Sequence, residues 1–82
     1  MPKVLSLDQI MLGRRYQVSG LTAEGMLRRR LLDLGIVSGA IIIGVRRASF
    51  GDPTAYLIKG ALVALRKEEA CLIQVAPADS SP

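Results

Sequence analysis

The sequence contains no histidine and no tryptophan, and its single cysteine is Cys71. Histidine is the side chain that most often serves as a general acid or base, and none of the serine, threonine or tyrosine hydroxyls stands in a motif with a base. One cysteine excludes an internal disulfide, and without histidine a single chain cannot build a closed structural zinc site. We therefore expect a protein that is not an enzyme and that works in a reducing compartment.

Phosphate-binding motifs and membrane segments are also missing. The sequence has neither a glycine-rich dinucleotide motif nor a P-loop. Its longest apolar stretch, residues 36–45, is far shorter than the roughly 20 residues that a membrane-spanning helix needs. The N-terminus has no apolar run of the signal-peptide type. We expect a cytoplasmic protein without membrane insertion.

Aromatic residues are few, since only Tyr16, Phe50 and Tyr56 are present, while 50% of the chain is hydrophobic. The core must therefore be built from leucine, isoleucine and valine. The net charge of +4 permits an acidic protein, a nucleic acid or an anionic membrane as partner and selects none of them. Small barrels that bind nucleic acids stack bases on aromatic platforms, for which three scattered aromatics are too few. Nucleic-acid binding stays an alternative that we do not expect.

Hydrophobic periodicity predicts a mainly β domain. Strands are predicted over five segments, and a helix capped by Thr22 follows the first strand and ends at Gly35. The dipeptide Lys59-Gly60 predicts a tight hairpin, and Gly44 a bend or bulge. So small a sheet must curl to bury one face, which indicates a compact barrel of five strands over residues 1–75, with 76–82 as a disordered tail. The predicted strands are 14–18, 40–48, 54–58, 61–65 and 71–75.

Three segments carry groups that could form a site. The run Arg28 to Arg30 is either a solvated helix surface or a docking face for an acidic partner. The segment Phe50 to Pro53 is either a simple turn or an exposed contact loop. Glu68, Glu69 and Cys71 form an E-E-x-C cluster that could contribute to a divalent-metal site. The alternative for this cluster is a solvated connector followed by a cysteine that packs in the core.

The order of these motifs resembles a known family, ferrous iron transport protein A, over roughly residues 5–75. The segment Arg29 to Ile36 (RRLLDLGI) is followed by Ser38-Gly39, Arg47-Ala48, Gly51-Asp52-Pro53, Leu65 to Ala70 (LRKEEA) and Ile73-x-Val75. The spacing Leu7 to Val18 (L-x-x-I-x-x-G-x-x-Y-x-V) fits the same pattern.

The resemblance implies an SH3-like barrel with an inserted helix and a cytoplasmic accessory role in bacterial ferrous-iron transport. The implied partner is the large membrane transporter with a cytoplasmic GTP-binding domain, which would hold this protein at the inner face of the membrane. The protein itself would be a monomer or a weak homodimer. No resident cofactor is implied, and metal sensing or binding, with ferrous iron as a candidate ligand, stays the alternative function. Carried over to this sequence, the partner-binding residues are Arg29, Arg30, Leu31, Leu32, Phe50, Gly51, Asp52 and Pro53.

Overall fold

A computed structural model of the protein describes residues 4–78, which form one antiparallel sheet with two short helices. Along the chain the elements are β1 (Leu5–Ser6), a 3-10 turn (Leu7–Gln9), β2 (Arg15–Leu21), α1 (Gly25–Asp33), β3 (Ile41–Arg47), β4 (Thr54–Ile58), β5 (Ala61–Leu65), α2 (Lys67–Ala70) and β6 (Ile73–Pro77). The strand order across the sheet is β1-β6-β2-β3-β4-β5. The mainly β class and the helix inserted after the first long strand are confirmed, and the two-residue strand β1 brings the number of strands to six.

The aliphatic core lies on the concave face of the curled sheet and under α1. Its fully buried members include Leu7, Leu31, Ile36, Ile42, Ile58 and Ile73. Both tyrosines are buried among them, so the two rings serve packing. Among residues 4–78, no helix is long and apolar enough to cross a membrane.

Helix α1 begins later than the sequence predicts. The expected cap, Thr22, instead donates its backbone N–H to the carbonyl oxygen of Leu72 at 2.8 Å. Strand β2 continues to Leu21, which pairs with Ile73 of β6, and the helix starts at Gly25. The cap prediction was wrong because pairing with β6 keeps the chain extended through Leu21 and ties Thr22 to Leu72. The residue that precedes the helix is therefore Glu24, whose side chain makes no cap hydrogen bond.

The end of α1 follows the prediction. Gly35 adopts a φ of 96° and donates its N–H to Leu32, while Ile36 donates to Leu31 at 3.0 Å. This pair of hydrogen bonds is a Schellman motif, which satisfies two of the last carbonyl groups of the helix. Because Ile36 is then buried in the core, the motif also sets the direction in which the chain leaves α1.

The predicted irregularity at Gly44 is confirmed as a register shift between Gly44 and Arg46 in the pairing of β3 with β4. A side chain at position 44 would place its Cβ 2.9 Å from a methyl group of Leu12 and 3.1 Å from one of Ile10. Glycine therefore lets the segment before β2 pack closely against β3.

The final strand is shifted toward the C-terminus relative to the prediction. Strand β6 begins at Ile73 because the chain first forms α2 and a turn, and it continues to Pro77, which pairs with Tyr16. Residues 76 and 77 of the predicted tail are thus part of the sheet. Ala78 of the predicted tail donates its N–H to the Arg15 carbonyl oxygen at 3.0 Å, and residues 79–82 lie outside the described residues.

Candidate functional site

An exposed groove runs along the outer side of α1. Met26, Arg29, Arg30 and Asp33 line it at helical positions i, i+3, i+4 and i+7, with Leu34 at its inner border. The groove has a volume of about 320 Å³, and the Met26 side chain is 89% exposed. This stripe lies beside the stripe of Leu27, Leu31 and Leu34, which faces the core as the helical spacing of the three leucines predicts. The groove therefore combines apolar surface from Met26 and Leu34 with charged walls, in which two arginines outnumber one aspartate.

The two groove arginines differ in how closely an acidic side chain engages their guanidinium groups. Arg29 is exposed, and its nearest acid is Asp33, with Nε and Oδ1 4.0 Å apart. Arg30 instead forms a 2.6 Å ion pair between its guanidinium nitrogen and Glu69 Oε2. A surface pair at 4.0 Å contributes little to stability, whereas the short pair holds Arg30 toward α2. Arg29 is consequently the charge that is available to a partner.

The predicted contact loop, residues 50–53, is anchored at one end and open at the other. Asp52 Oδ1 accepts the backbone N–H of Lys67 at 2.7 Å, and Oδ2 lies 3.8 Å from the Arg66 guanidinium. Pro53 is half-buried, and the Asp52–Pro53 peptide bond is cis. Gly51 is exposed, and the Phe50 ring is 98% exposed at the tip. A large apolar ring on an anchored loop is a ready contact for another protein.

Helix α2 connects the groove to this loop. Its first residue binds Asp52, and its third residue, Glu69, accepts the Arg66 N–H at 2.9 Å and pairs with Arg30 of α1. The predicted partner site consists of residues 29–32 and 50–53, which are 18 or more residues apart in the chain. A continuous set of hydrogen bonds through α2 joins these two segments.

Two leucines of the predicted partner set are placed differently. Leu31 is fully buried, because it lies at the centre of the core stripe of α1, so it cannot touch a partner while the domain is folded. Leu32 is half-buried and does not line the groove. Met26 lines the groove but was not among the predicted contact residues, although its position beside the core stripe was a usable signal.

Glu69 is the acidic residue most strongly perturbed by its surroundings. The backbone N–H of Arg66 and the Arg30 guanidinium hold the pKa of the Glu69 carboxyl below its ordinary value, against the opposing effect of its burial. A carboxyl with a lowered pKa stabilises the folded state above the unfolded-state value, about 4.3, and loses that contribution as the pH falls through the lower folded-state value.

The pH dependence of stability should report this interaction. We expect Glu69→Gln to be less stable than the natural protein at pH 7, because the amide keeps an acceptor for Arg66 and loses the ion pair with Arg30. The difference should shrink as the pH falls below about 4 and vanish only below the lowered folded-state pKa of Glu69, where both proteins carry a neutral side chain at position 69. Urea unfolding at a series of pH values measures it, and a difference that is constant with pH would contradict the assignment.

The metal-ligand candidates are not gathered into a site. Glu69 is occupied by Arg30 and Arg66, and the Cys71 thiol donates a hydrogen bond to the Glu68 carbonyl oxygen at 3.3 Å. Within residues 4–78, no group of three or more histidine, cysteine, aspartate or glutamate side chains is placed to hold a metal ion. The interpretation of Cys71 as a core residue was also wrong, because its side chain is exposed at the end of α2.

A small polar pocket of about 160 Å³ lies next to the contact loop. Asp8, Arg47, Asp52, Tyr56 and Lys67 contribute to its wall. Arg47 donates to the Ile10 carbonyl oxygen, and burial raises the pKa of Tyr56. Asp8 Oδ1 is buried without a hydrogen-bond partner in the described part of the chain. Mixed charges of both signs give the pocket no clear preference for an anion or a cation.

A nucleic-acid platform is not formed by the described residues. Tyr16 and Tyr56 are buried, which leaves Phe50 as the exposed aromatic ring among residues 4–78. Binding of single-stranded nucleic acids uses several exposed rings that stack successive bases. The geometry instead resembles a protein-binding surface, with one apolar anchor, an apolar groove and a free arginine.

Comparison with known proteins agrees with this description. A family model described as the FeoA domain matches residues 5–77. The solution structure of a FeoA protein from Chlorobium tepidum is 36% identical and superimposes with a TM-score of 0.87, covering 95% of this chain and 74% of that one. A zinc-complexed FeoA from Stenotrophomonas maltophilia, described as an SH3 domain protein, is 26% identical with a TM-score of 0.75, covering 92% and 88% of the two chains. The SH3-like fold is thereby confirmed.

A longer relative comes from Porphyromonas gingivalis (strain ATCC BAA-308 / W83). It is described as an Fe(2+) transport protein A/Fe(2+) transporter FeoB fusion protein and is 33% identical over 71 residues. The match covers 87% of this chain and 8% of that relative. This chain therefore corresponds to a small part of the fusion protein.

Proposed function

Because the chain belongs to the FeoA domain family, we propose that it is a cytoplasmic accessory protein of bacterial ferrous-iron uptake that binds the GTP-binding part of the membrane transporter. The observation that best supports this proposal is the relative in which Fe(2+) transport protein A and the transporter FeoB are one chain. Fusion keeps two partners at a high effective concentration, so domains found fused in one organism are good candidates for association when they are separate.

The α1 groove and the Phe50 loop are the surface that we assign to this contact. An exposed phenylalanine and an exposed methionine supply apolar area of the kind found at the centre of protein interfaces. Arg29, whose 4.0 Å pair with Asp33 is exposed, adds a positive charge at the edge of the groove, and the domain as a whole carries a net charge of +4. An acidic surface on the transporter domain would therefore be attracted and oriented. Arg30 and Asp52 contribute indirectly, by holding α1 and the Phe50 loop in place, because both side chains are engaged in hydrogen bonds within the domain.

The test is an NMR titration of the labelled protein with the cytoplasmic domain of the transporter from the same organism. We expect chemical-shift changes along the outer side of α1 and at residues 50–53. Arg29→Glu should weaken the affinity at least about tenfold at low salt, because it replaces attraction by repulsion at the interface edge. Phe50→Ala should weaken it by a similar factor, because the anchor is lost.

A matched control is Arg14→Glu, which changes the same charge at an exposed position that does not line the groove. The affinity of this variant for the transporter domain should stay within a factor of about two or three of that of the natural protein, which is the size of a long-range charge effect. Equal losses for Arg14→Glu and Arg29→Glu would mean that the attraction is not local to α1. Shifts absent at excess transporter domain would overturn the proposed function itself.

A further inference from the structure

Strand β5 is an open edge of the sheet. It pairs with β4 on one side and stands last in the strand order. All five of its residues, Ala61 to Leu65, are apolar, and it contains neither proline nor a charged residue. Natural edge strands are commonly protected by charges, prolines or bulges, and none of these interrupts β5. The edge is therefore free to accept a further strand.

The hairpin geometry identifies the backbone groups that point outward. Lys59 and Gly60 both have positive φ, 50° and 81°, which is the signature of a two-residue type I′ turn. Such a turn makes Ile58 and Ala61 a hydrogen-bonded pair, so pairing alternates and Leu62 and Ala64 are in non-hydrogen-bonded pairs with β4. The N–H and C=O groups of Leu62 and Ala64 consequently point away from β4, and no described residue binds them.

An apolar row on the outer face of the sheet leads to this edge. Ile43 of β3, Leu57 of β4 and Leu62 of β5 are directly opposite one another in the register. Leu57 is 37% exposed and Leu62 61% exposed, so the row becomes more exposed toward the edge. A strand added beside β5 would place its own side chain next to Leu62 and extend the row.

Charges at the two ends of β5 decide between possible occupants. Lys59 precedes the strand and Arg66 and Lys67 follow it, and all three are exposed. If a second copy paired antiparallel through β5, only the register centred on Val63 would use the free groups of both Leu62 and Ala64. That register brings the Lys59 end of each copy to the end of the other copy that carries Arg66 and Lys67, so like charges meet at both ends of the pair, which is repulsive. A segment with acidic ends would meet attraction at both ends.

We propose that the β5 edge binds an extended segment of another protein by strand addition, and that this segment is apolar at its centre and acidic at its ends. Main-chain hydrogen bonds to Leu62 and Ala64 supply the binding, the side chain beside Leu62 supplies apolar contact, and Lys59, Arg66 and Lys67 select the charge. This surface is distinct from the α1 groove, and the proposal does not depend on the identity of the transporter partner.

The experiment uses the full labelled chain and a synthetic peptide of about nine residues, with valine and threonine alternating at its centre and two acidic residues at each end. We expect peptide at millimolar concentration to slow amide hydrogen exchange at Leu62 and Ala64 several-fold, with shift changes along β5. The same peptide carrying N-methyl groups on the backbone nitrogens that face β5 should have no effect, because its donors are blocked. A peptide with lysine in place of the acidic residues should bind more weakly.

A protein variant tests the same contact from the other side. Ala64→Pro removes an outward N–H, and proline is tolerated on an edge strand when its nitrogen faces solvent. We expect it to lose the peptide response, while Ala64→Ser keeps it. Should Ala64→Pro not fold, the N-methylated peptide still decides the question on the natural chain. Unchanged exchange at Leu62 and Ala64, or equal binding of the N-methylated peptide, would overturn the proposal. Protection of these amides that rises with protein concentration alone would assign the edge to a second copy and overturn it as well.

Discussion

Replacing Leu31 with alanine is expected to lower the free energy of unfolding by about 2–5 kcal/mol. Leu31 is fully buried under α1, and its removal leaves a cavity that the surrounding leucine and isoleucine side chains fill only in part. A domain of this size has a total stability of about 5–15 kcal/mol, so the variant loses a large share of it. Urea unfolding followed by circular dichroism measures the change.

The matched control is Leu32→Ala, one residue along the same helix at a half-buried position. It should cost clearly less, because less apolar surface is uncovered and no closed cavity forms. Loss of transporter binding in Leu31→Ala should then follow the loss of folded protein and recover under conditions that restore folding. A Leu31→Ala protein that is as stable as the natural one but fails to bind would contradict the assignment of Leu31 to the core.

Replacing Asp52 with alanine is expected to cost about 1–2 kcal/mol, as the loss of a helix-capping carboxylate does. Asp52 accepts the Lys67 N–H at 2.7 Å and so ties the Phe50 loop to the start of α2. Its second oxygen is 3.8 Å from Arg66, an exposed pair that adds little. We also expect faster amide exchange at Lys67 and a wider spread of Phe50 positions, which hydrogen exchange and NMR relaxation measure.

Asp52→Asn tests the hydrogen bond to the Lys67 N–H separately from the negative charge of Asp52. Asparagine keeps an oxygen that can accept the Lys67 N–H, so most of the stability and the slow exchange at Lys67 should return. If Asp52→Asn is as unstable as Asp52→Ala, the negative charge and not the hydrogen bond to α2 holds the loop. In that case binding to the transporter domain should depend on salt more steeply for the natural protein than for Asp52→Asn.

Local features of the fold could be predicted wherever a few neighbouring residues are enough to determine the backbone conformation. The hairpin at Lys59-Gly60 joins two strands whose bounds agree with the prediction, because a turn with positive φ needs few other residues. Gly35 likewise ends α1 as predicted. The start of α1 could not be predicted in this way, because the Thr22 N–H binds Leu72, a residue that only the folded sheet brings near.

The candidate site was predictable only as separate segments. Residue types pointed to α1 and to residues 50–53, and the family resemblance assigned both segments to one site. The structure shows that Arg29 and Phe50 are exposed, whereas Leu31 is buried. The link between the segments depends on Glu69, which the sequence analysis considered as a metal ligand. Its carboxylate lies between Arg30 and Arg66 because the folded chain brings α2 within ion-pair distance of the Arg30 side chain.

The sequence by itself determined the mainly β class, the aliphatic core and the family, because periodicity, composition and ordered motifs are properties of the chain read locally. The tertiary structure decided which charges are free and which backbone edge is open. Arg30 is held in a 2.6 Å ion pair, whereas Arg29 has only a 4.0 Å exposed pair with Asp33, because Glu69, 39 residues along the chain from Arg30, reaches only one of the two arginines. Such choices depend on contacts between distant segments, and those contacts exist only once the sheet has curled around its core.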